Sequence, residues 1–409
     1  MRTLVIAGEY PWPETSGSRI RLAMILRGLV RCGPTELFSV VSKFRQDFDP
    51  PDESLDLANL GRAGFDNRPP SALDLLPALF RSGTPIGLPR RDRASVQQAL
   101  ARFMSGRYDL VWFYGPRPWV LAGKPVFAPT VLDLIDLEDE KILARLAAPG
   151  PPATGAIGRL RRAAARMVSE EEVRRWRRLH RRSSRRVAAV VVASDLDAGR
   201  AGRRRVEHVQ VIANGYPTIA HPVGRAGVGT PPTVLFQGLL RYPPNIDAAR
   251  WLAAEVGPAL RRLVPDVEIR VVGEHSPDLF SLDDRPRFTV AGRVPDIAAE
   301  LARADVVVVP VRYGSGTRLK ILEAFAQRVP VVSTALGAEG LGAEDGIHLL
   351  LGDTAPDLAE ACARLLREPG LRESLVSRAH ELFLERFQSG VIEQDVARLA
   401  REVAGGPGR

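Results

Sequence analysis

The chain has 409 residues, 45% of them apolar and 26% charged, and its formal net charge of +9 is carried by arginine, because lysine occurs only at Lys43, Lys124, Lys141 and Lys320. This length exceeds one hydrophobic core and predicts two domains of ordinary globular composition. No apolar run is long enough for a membrane span. The two cysteines, Cys32 and Cys362, lack metal-ligand spacing, which argues against a disulfide scaffold or zinc module and for a reducing cytoplasm.

The first segment alternates strands and helices. The opening MRTLVIAGEY runs directly into a strand pattern, without a signal-peptide cleavage region. Arg2–Gly8 reads as a buried parallel strand; a loop rich in Gly, Ser and Pro follows, then a helix over 17–31 and the strand ELFSVV. Helices are expected near 71–80 and 92–105, and strands at Leu110–Tyr114 and Val126–Leu134. Arg159–Arg186 holds twelve arginines against three glutamates. A solvated helix face and an anionic membrane surface both fit that run, whereas no aromatic ladder, zinc finger or helix-turn-helix cue supports nucleic acid. The segment closes with the strand Val187–Ser194, a short helix and Val209–Gly215.

Tyr216–Pro232 is rich in Pro and Gly and reads as an interdomain linker. Beyond it the alternation restarts, with strands expected at 233–238, 267–273, 287–292, 305–310 and 330–334. Helices are expected near 244–262, 296–303, 317–327, 355–367 and 370–386. Continuous Val/Ile strands between amphipathic helices imply parallel sheets covered on both faces. Two such Rossmann-like domains, 1–220 and 230–388, would face a central cleft, and a last helix within 389–409 could return to the first.

The stretch YGSGTRLKILEAFAQRVPVVST, Tyr313–Thr334, concentrates the chemistry. Gly314, Ser315 and Gly316 form a turn after a strand and before a helix expected to begin near Thr317. Unpartnered helix amides, the positive end of the helix dipole, and the cations Arg318 and Lys320 suit a phosphate or diphosphate. Glu323 lies three residues beyond Lys320 in an apolar segment. It could accept hydrogen bonds from vicinal hydroxyls such as those of a ribose, or form a helix ion pair with Lys320 or Arg318. The spacing matches neither a Walker motif nor, after the first strand, a dinucleotide fingerprint.

The segments FQGLLRYPPNIDAARWL, PDVEIRVVG, VAGRVPDIAAELARADVVVVPVRYGSGTRLKILEAFAQRVPVVSTALGAEGL and DGIHLLL resemble family 4 glycosyltransferases of the GT-B architecture. The likeness is dense over residues 230–385 and thinner over 1–220, where VVVASDLDAGR and VQVIANGYP match the end of the family's first domain. It implies retaining transfer of a sugar from a nucleotide diphospho-sugar, UDP- or GDP-linked, to a hydroxyl-bearing glycan, lipid-linked glycan or small molecule, with no further cofactor and no metal. The donor would sit in the second domain and the acceptor in the first. Glu323 matches the second acid of the family's E-x7-E motif, which holds the donor ribose; Ser315 replaces the first acid. Leu239 and Pro244 stand where many members carry an Arg and a Lys, which leaves Arg241, Arg318 and Lys320 as the substitute cations. By the same resemblance Arg293, in AGRVPD, flanks the base, Glu339, in GAEGL, lies on a donor-side loop, and Gly17 and Ser18 approach the reacting centre. Arg19 and Arg21, two residues apart on one helix, are expected to face different ways. Asp133 and Asp136, just past a strand, resemble the acceptor-side and catalytic groups of a subset with D-x-x-D; a helix cap is the structural reading of Asp136. Glu274 could contact a ligand or simply close a turn. A sugar-nucleotide epimerase and a non-catalytic nucleotide-sugar binder are the alternatives on this architecture. The arginine-rich 159–186 segment is the candidate for peripheral contact with the inner face of an anionic membrane.

Overall fold

The computed structural model describes residues 1–43, 55–66, 84–86, 88, 92–148, 155–222, 228, 231–274 and 277–406. The helix expected near 71–80 lies outside these. Contacts divide the chain into two compact units, Met1–Asn214 with Gly390–Arg409, and Gly215–Ser389.

In unit 1 the chain runs β1 (Thr3–Ala7), α1 (Gly17–Val30), β2 (Thr35–Ser42), β3 (Asn59–Phe65), α2 (Arg93–Phe103), β4 (Leu110–Tyr114) and α3 (Pro116–Leu121). It continues through β5 (Thr130–Asp133), α4 (Glu138–Ala147), α5 (Gly155–Ser184), β6 (Ala189–Val192), α6 (Asp195–Arg203) and β7 (Val209–Val211). The strands form one parallel sheet in the order β3-β2-β1-β4-β5-β6-β7. β1 and β4 are buried along their whole lengths, as expected of strands covered on both faces. The expected strand over 126–134 shortens to β5, because Val126 and Phe127 are largely exposed and only Thr130–Asp133 joins the ladder. β3, α3 and α4 were not foreseen. β3 carries glycines at 61 and 64 in an edge strand with a mixed burial pattern, so no clean alternation marks it.

Unit 2 contains β8 (Thr233–Gln237) and α7 (Pro243–Trp251), which passes through a π turn (Leu252–Val256) into α8 (Gly257–Leu263). β9 (Glu268–Val272), β10 (Phe288–Gly292), α9 (Ile297–Arg303), β11 (Val306–Val309) and α10 (Leu319–Ala326) follow. The unit ends with β12 (Val331–Ser333), β13 (Leu350–Leu351), α11 (Ala355–Arg367) and α12 (Pro369–Arg386). Its parallel sheet has the order β10-β9-β8-β11-β12-β13. The four valines of β11 have no solvent exposure; each such side chain contributes about 1.5–3 kcal/mol of burial free energy.

The last helix, α13 (Ser389–Ala404), packs on unit 1 from Gly390 onward. Gly28 makes that packing close, since a Cβ there would lie 2.7 Å from the Glu393 carbonyl oxygen. Arg31 pairs with Glu393 at 2.5 Å in the same seam.

Candidate active site

In unit 2 the winding of the sheet reverses between β8 and β11. Loops leaving the carboxyl ends of such strands are where open parallel sheets bind ligands. Gly238 and Gly273, which follow β8 and β9, have φ of 153° and 140°. A Cβ on Gly273 would stand 1.8 Å from the Gly238 carbonyl oxygen, so this approach of two strand ends requires glycine.

The loop after β11 carries the two glycines of the sequence motif in left-handed conformations, Gly314 at φ 125° and Gly316 at φ 82°. The helix starts at Leu319 and not at Thr317, because Arg318 remains extended, at φ −85° and ψ 92°. The Gly316 and Thr317 amides therefore belong to the loop ahead of the helix. Arg318 also departs from the mobile cation expected of it. Its Nη1 donates to the carbonyls of Ser315 (2.5 Å) and Gly316 (2.9 Å), and only 9% of the residue is exposed. It braces the turn from within. The Ser315 and Thr317 hydroxyls are buried in this turn without hydrogen-bond partners among the described residues.

On α10, Lys320 and Glu323 do not pair with each other. Lys320 Nζ donates to Asn245 Oδ1 at 2.9 Å and sits 4.3 Å from the centroid of the Phe236 ring. Burial, reinforced by the neighbouring Arg318 charge, lowers its pKa to about 7. A Cβ on Gly238 would lie 2.7 Å from this ammonium, so the bare backbone after β8 makes room for it. Asn245 completes the arrangement by donating its Nδ2 to the Leu239 carbonyl at 2.9 Å. Glu323 accepts from the Tyr216 hydroxyl at 2.5 Å and from Gln237 Nε2 at 3.1 Å. Burial raises its pKa, against the lowering effect of those two bonds and of Lys320. Tyr216 is pushed up in turn by burial and by the Glu323 charge.

The remaining donor-side candidates are less concentrated. Arg241 pairs with Glu274 at 2.6 Å on the surface, the side chains being 59% and 46% exposed. These two candidates thus satisfy each other, and at such exposure the pair adds little stability. Arg293 is exposed, directly after Gly292 at φ 74°. Glu339 is half-buried in the turn that begins at Ala335 and contains Gly337, where a Cβ would lie 2.3 Å from Ser333 Oγ. Pro244, at the family's lysine position, is buried in the first turn of α7.

In unit 1 the switch point lies between β1 and β4. Gly17 opens α1, and the Ser18 carbonyl accepts from the buried Tyr114 hydroxyl at 2.6 Å. Arg19 and Arg21, expected to diverge, are both buried. Arg19 donates to the Pro13 carbonyl at 3.1 Å. Arg21 reaches Asp133 Oδ2 from Nε (3.2 Å) and Nη2 (3.0 Å), while its Nη1 contacts the carbonyls of Ile212 and Ala213 and Asn214 Oδ1 at 2.9–3.0 Å.

Asp133 is held inside this network. It has no exposed surface, and its other oxygen accepts from the Ile135 amide at 2.8 Å. A carboxylate enclosed this way anchors Arg21 and the end of β5. Asp136 is placed differently. Ile135, at φ 64°, sits in a tight turn in which the Asp136 amide donates to the Leu134 carbonyl at 2.6 Å. Positive φ is rare and strained for a β-branched residue. The turn leaves Asp136 partly exposed and paired with Lys141 at 3.1 Å. It is not the cap of α4, since Leu137 holds that position. Sequence reasoning missed Tyr216, Gln237 and Asn245. A polar residue closing the apolar run TVLFQ was a usable signal for Gln237; nothing local distinguishes Tyr216 within its Pro/Gly-rich surroundings.

Residues 231–368 match the family model described as Glycosyl transferases group 1. Among curated proteins, a D-inositol 3-phosphate glycosyltransferase of Mycolicibacterium paratuberculosis is 29% identical over 301 residues, which cover 70% of this chain and 65% of the relative. An alpha-D-kanosaminyltransferase of Streptomyces kanamyceticus is 27% identical over 44% of this chain and 48% of its own. Among solved structures, Anabaena HepE in complex with UDP and glucose superposes with a TM-score of 0.63 at 18% identity, covering 97% of this chain and 98% of that one. Sucrose-phosphate synthase from Thermosynechococcus elongatus gives 0.67 at 17% identity, covering 99% and 100%. The aligned part thus spans less than two thirds of the M. paratuberculosis relative's length.

Two parallel-sheet α/β units with these structural matches define the GT-B fold. Residues 231–368 are thus similar to Glycosyl transferases group 1, and over 70% of its length the chain is similar to a D-inositol 3-phosphate glycosyltransferase.

Proposed function

We propose that the protein transfers a sugar from a nucleotide diphospho-sugar, with retention of anomeric configuration, to a hydroxyl of a glycan, lipid-linked glycan or small molecule. The observation that carries this reading is the placing of Glu323 and Lys320 on one short helix behind the Gly314–Thr317 turn. Glu323 is preset by Tyr216 and Gln237 to accept from ribose hydroxyls. Lys320 and the two unpartnered hydroxyls of the turn offer donors to a diphosphate. HepE binding UDP and UDP-glucose favours a UDP-sugar over a GDP-sugar.

The bond from the anomeric carbon to the phosphate oxygen breaks while the acceptor oxygen bonds to the same face of that carbon, and the acceptor proton passes to the departing phosphate. The protein's part is to hold and stabilise the diphosphate as its negative charge grows; preorganised donors and a fixed cation are most effective for this in a water-poor site. Unit 1 is assigned to the acceptor, with Gly17, Ser18 and Asp136 as its candidate contacts. Arg241, Arg293 and Glu339 remain the candidates for outer donor contacts. The reaction is placed on the cytoplasmic side of a membrane, with peripheral contact through the arginine-rich α5.

A binding screen over UDP-, GDP-, ADP- and dTDP-sugars, followed by nucleotide release with candidate acceptors and NMR of the product anomer, tests the proposal. Retained configuration in a new glycoside is the expected result. Binding without release would favour a non-catalytic binder, and a changed sugar nucleotide would favour an epimerase.

A further inference from the structure

Four arginines on one side of the C-terminal half of α5 (Arg174, Arg177, Arg178 and Arg181) and three at the end of α6 (Arg203, Arg204 and Arg205) line a cavity of about 380 Å³. Carboxylates account for only part of that charge. Buried Asp139 accepts from Arg177 at 2.9 Å and Arg204 at 2.8 Å, Glu140 also pairs with Arg204, and Glu171, bound by Arg175 at 3.0 Å, is shared by Arg174 and Arg178 at 3.5 and 3.8 Å. Among the described residues no carboxylate pairs with Arg181, Arg203 or Arg205. A concave surface with unneutralised guanidinium groups has the geometry and charge for phosphate oxygens.

The other half of the same helix is unlike a solvated surface. Ile157, Leu160 and Met167 are 71%, 72% and 70% exposed. Their spacing puts them on one side of the helix with Ala164, bordered by Arg161, while Arg159, Arg162 and Arg166 fall on the other. An exposed apolar stripe backed by arginine is the pattern of a helix lying in a bilayer interface.

We infer that the seven-arginine cavity receives the phosphates of an anionic bilayer while Ile157, Leu160 and Met167 enter its interface. This inference rests on the peripheral membrane contact proposed above and names its chemistry: lipid-borne phosphate, held by α5 and α6 together. The unpaired Arg181, Arg203 and Arg205 bind most of it, because the other four already share carboxylates.

The test is cosedimentation of the full chain with phosphatidylcholine vesicles, with and without phosphatidylglycerol. Wild type should partition only onto the anionic vesicles and be released by high salt. The R181Q/R203Q/R205Q variant should partition roughly 100-fold more weakly, with an unchanged thermal melt and unchanged donor binding. The L160S/M167S variant should also partition more weakly. Absence of wild-type binding to anionic vesicles would overturn the membrane contact together with this inference. Wild-type binding that the three-arginine variant retains in full would overturn the cavity assignment alone. Arginine-dependent calorimetric binding of inorganic pyrophosphate without vesicle binding would overturn the lipid source.

Discussion

The Tyr216 hydroxyl donates to the Glu323 carboxylate at 2.5 Å, which ties the start of unit 2 to the helix that carries its central acid. With Gln237 Nε2 as a second donor, the carboxylate is oriented before any ligand arrives. Glu323→Ala should lower donor kcat/KM about 10–100-fold, the scale of losing charge-assisted hydrogen bonds, and Tyr216→Phe should lower it less because the Gln237 bond remains. Calorimetry with the donor checks both. A Glu323→Ala protein that binds and turns over donor like wild type would remove Glu323 from the site.

Lys320 gives a pH-dependent prediction with a definite sign. Its folded pKa of about 7 is below the ordinary lysine value because of burial and then Arg318. The unfolded chain therefore binds this proton more tightly, and this group's contribution to stability rises with pH from about 7 towards the usual lysine range. Its contribution to donor binding runs the opposite way, since the ammonium is lost above pH 7. Wild-type kcat/KM should fall as pH rises through about 7, and Lys320→Met should flatten that limb at a much lower rate. The same variant should melt at a higher temperature than wild type at pH 7, with the gain shrinking toward pH 10. A lower melting temperature at pH 7 would show that the buried ammonium stabilises the fold.

The sheets were legible because buried parallel strands write themselves as short Val/Ile runs; VVVV of β11 and LVWFY of β4 match their elements closely. The start of α10 was read two residues early, because glycines and a threonine ahead of an apolar helix look like a cap. The backbone stays extended to Arg318, whose guanidinium binds carbonyls of its own loop. Glu323 stood out as a candidate because an acid in ILEAFA is out of pattern. Its partners did not, because Tyr216 lies 107 residues away in sequence and Gln237 lies 86 away. The partner of Asp133 was hidden for a similar reason: nothing local announces that Arg21, 112 residues earlier, takes up its carboxylate.

That pair separates structure from chemistry in unit 1. Removing one partner of a buried ion pair leaves an uncompensated charge, at a cost of about 3–5 kcal/mol. Asp133→Ala should therefore lower the urea midpoint strongly, and Arg21→Met/Asp133→Leu should recover much of that loss. Asp136 is partly exposed with Lys141, so Asp136→Ala should change stability by less than about 1 kcal/mol while reducing turnover with acceptor. An Asp133→Ala protein of normal stability but no turnover would return Asp133 to the reacting centre.

The approach of β8 to β9 can be tested through Gly273. Its φ is 140°, and a Cβ would meet the Gly238 carbonyl oxygen at 1.8 Å, a backbone atom that no side-chain rotation can move. Gly273→Ala should destabilise unit 2 by at least about 3 kcal/mol through combined overpacking and backbone strain. Gly370→Ala on α12 is the control, since nothing lies within 4 Å of its added carbon, and it should be neutral or slightly stabilising. Where Gly273→Ala still folds, the displaced Gly238 should disturb the seat of Lys320, so donor KM should rise along with the loss of stability. A Gly273→Ala protein with a wild-type urea midpoint and donor KM would mean that the two strand ends do not meet at this distance.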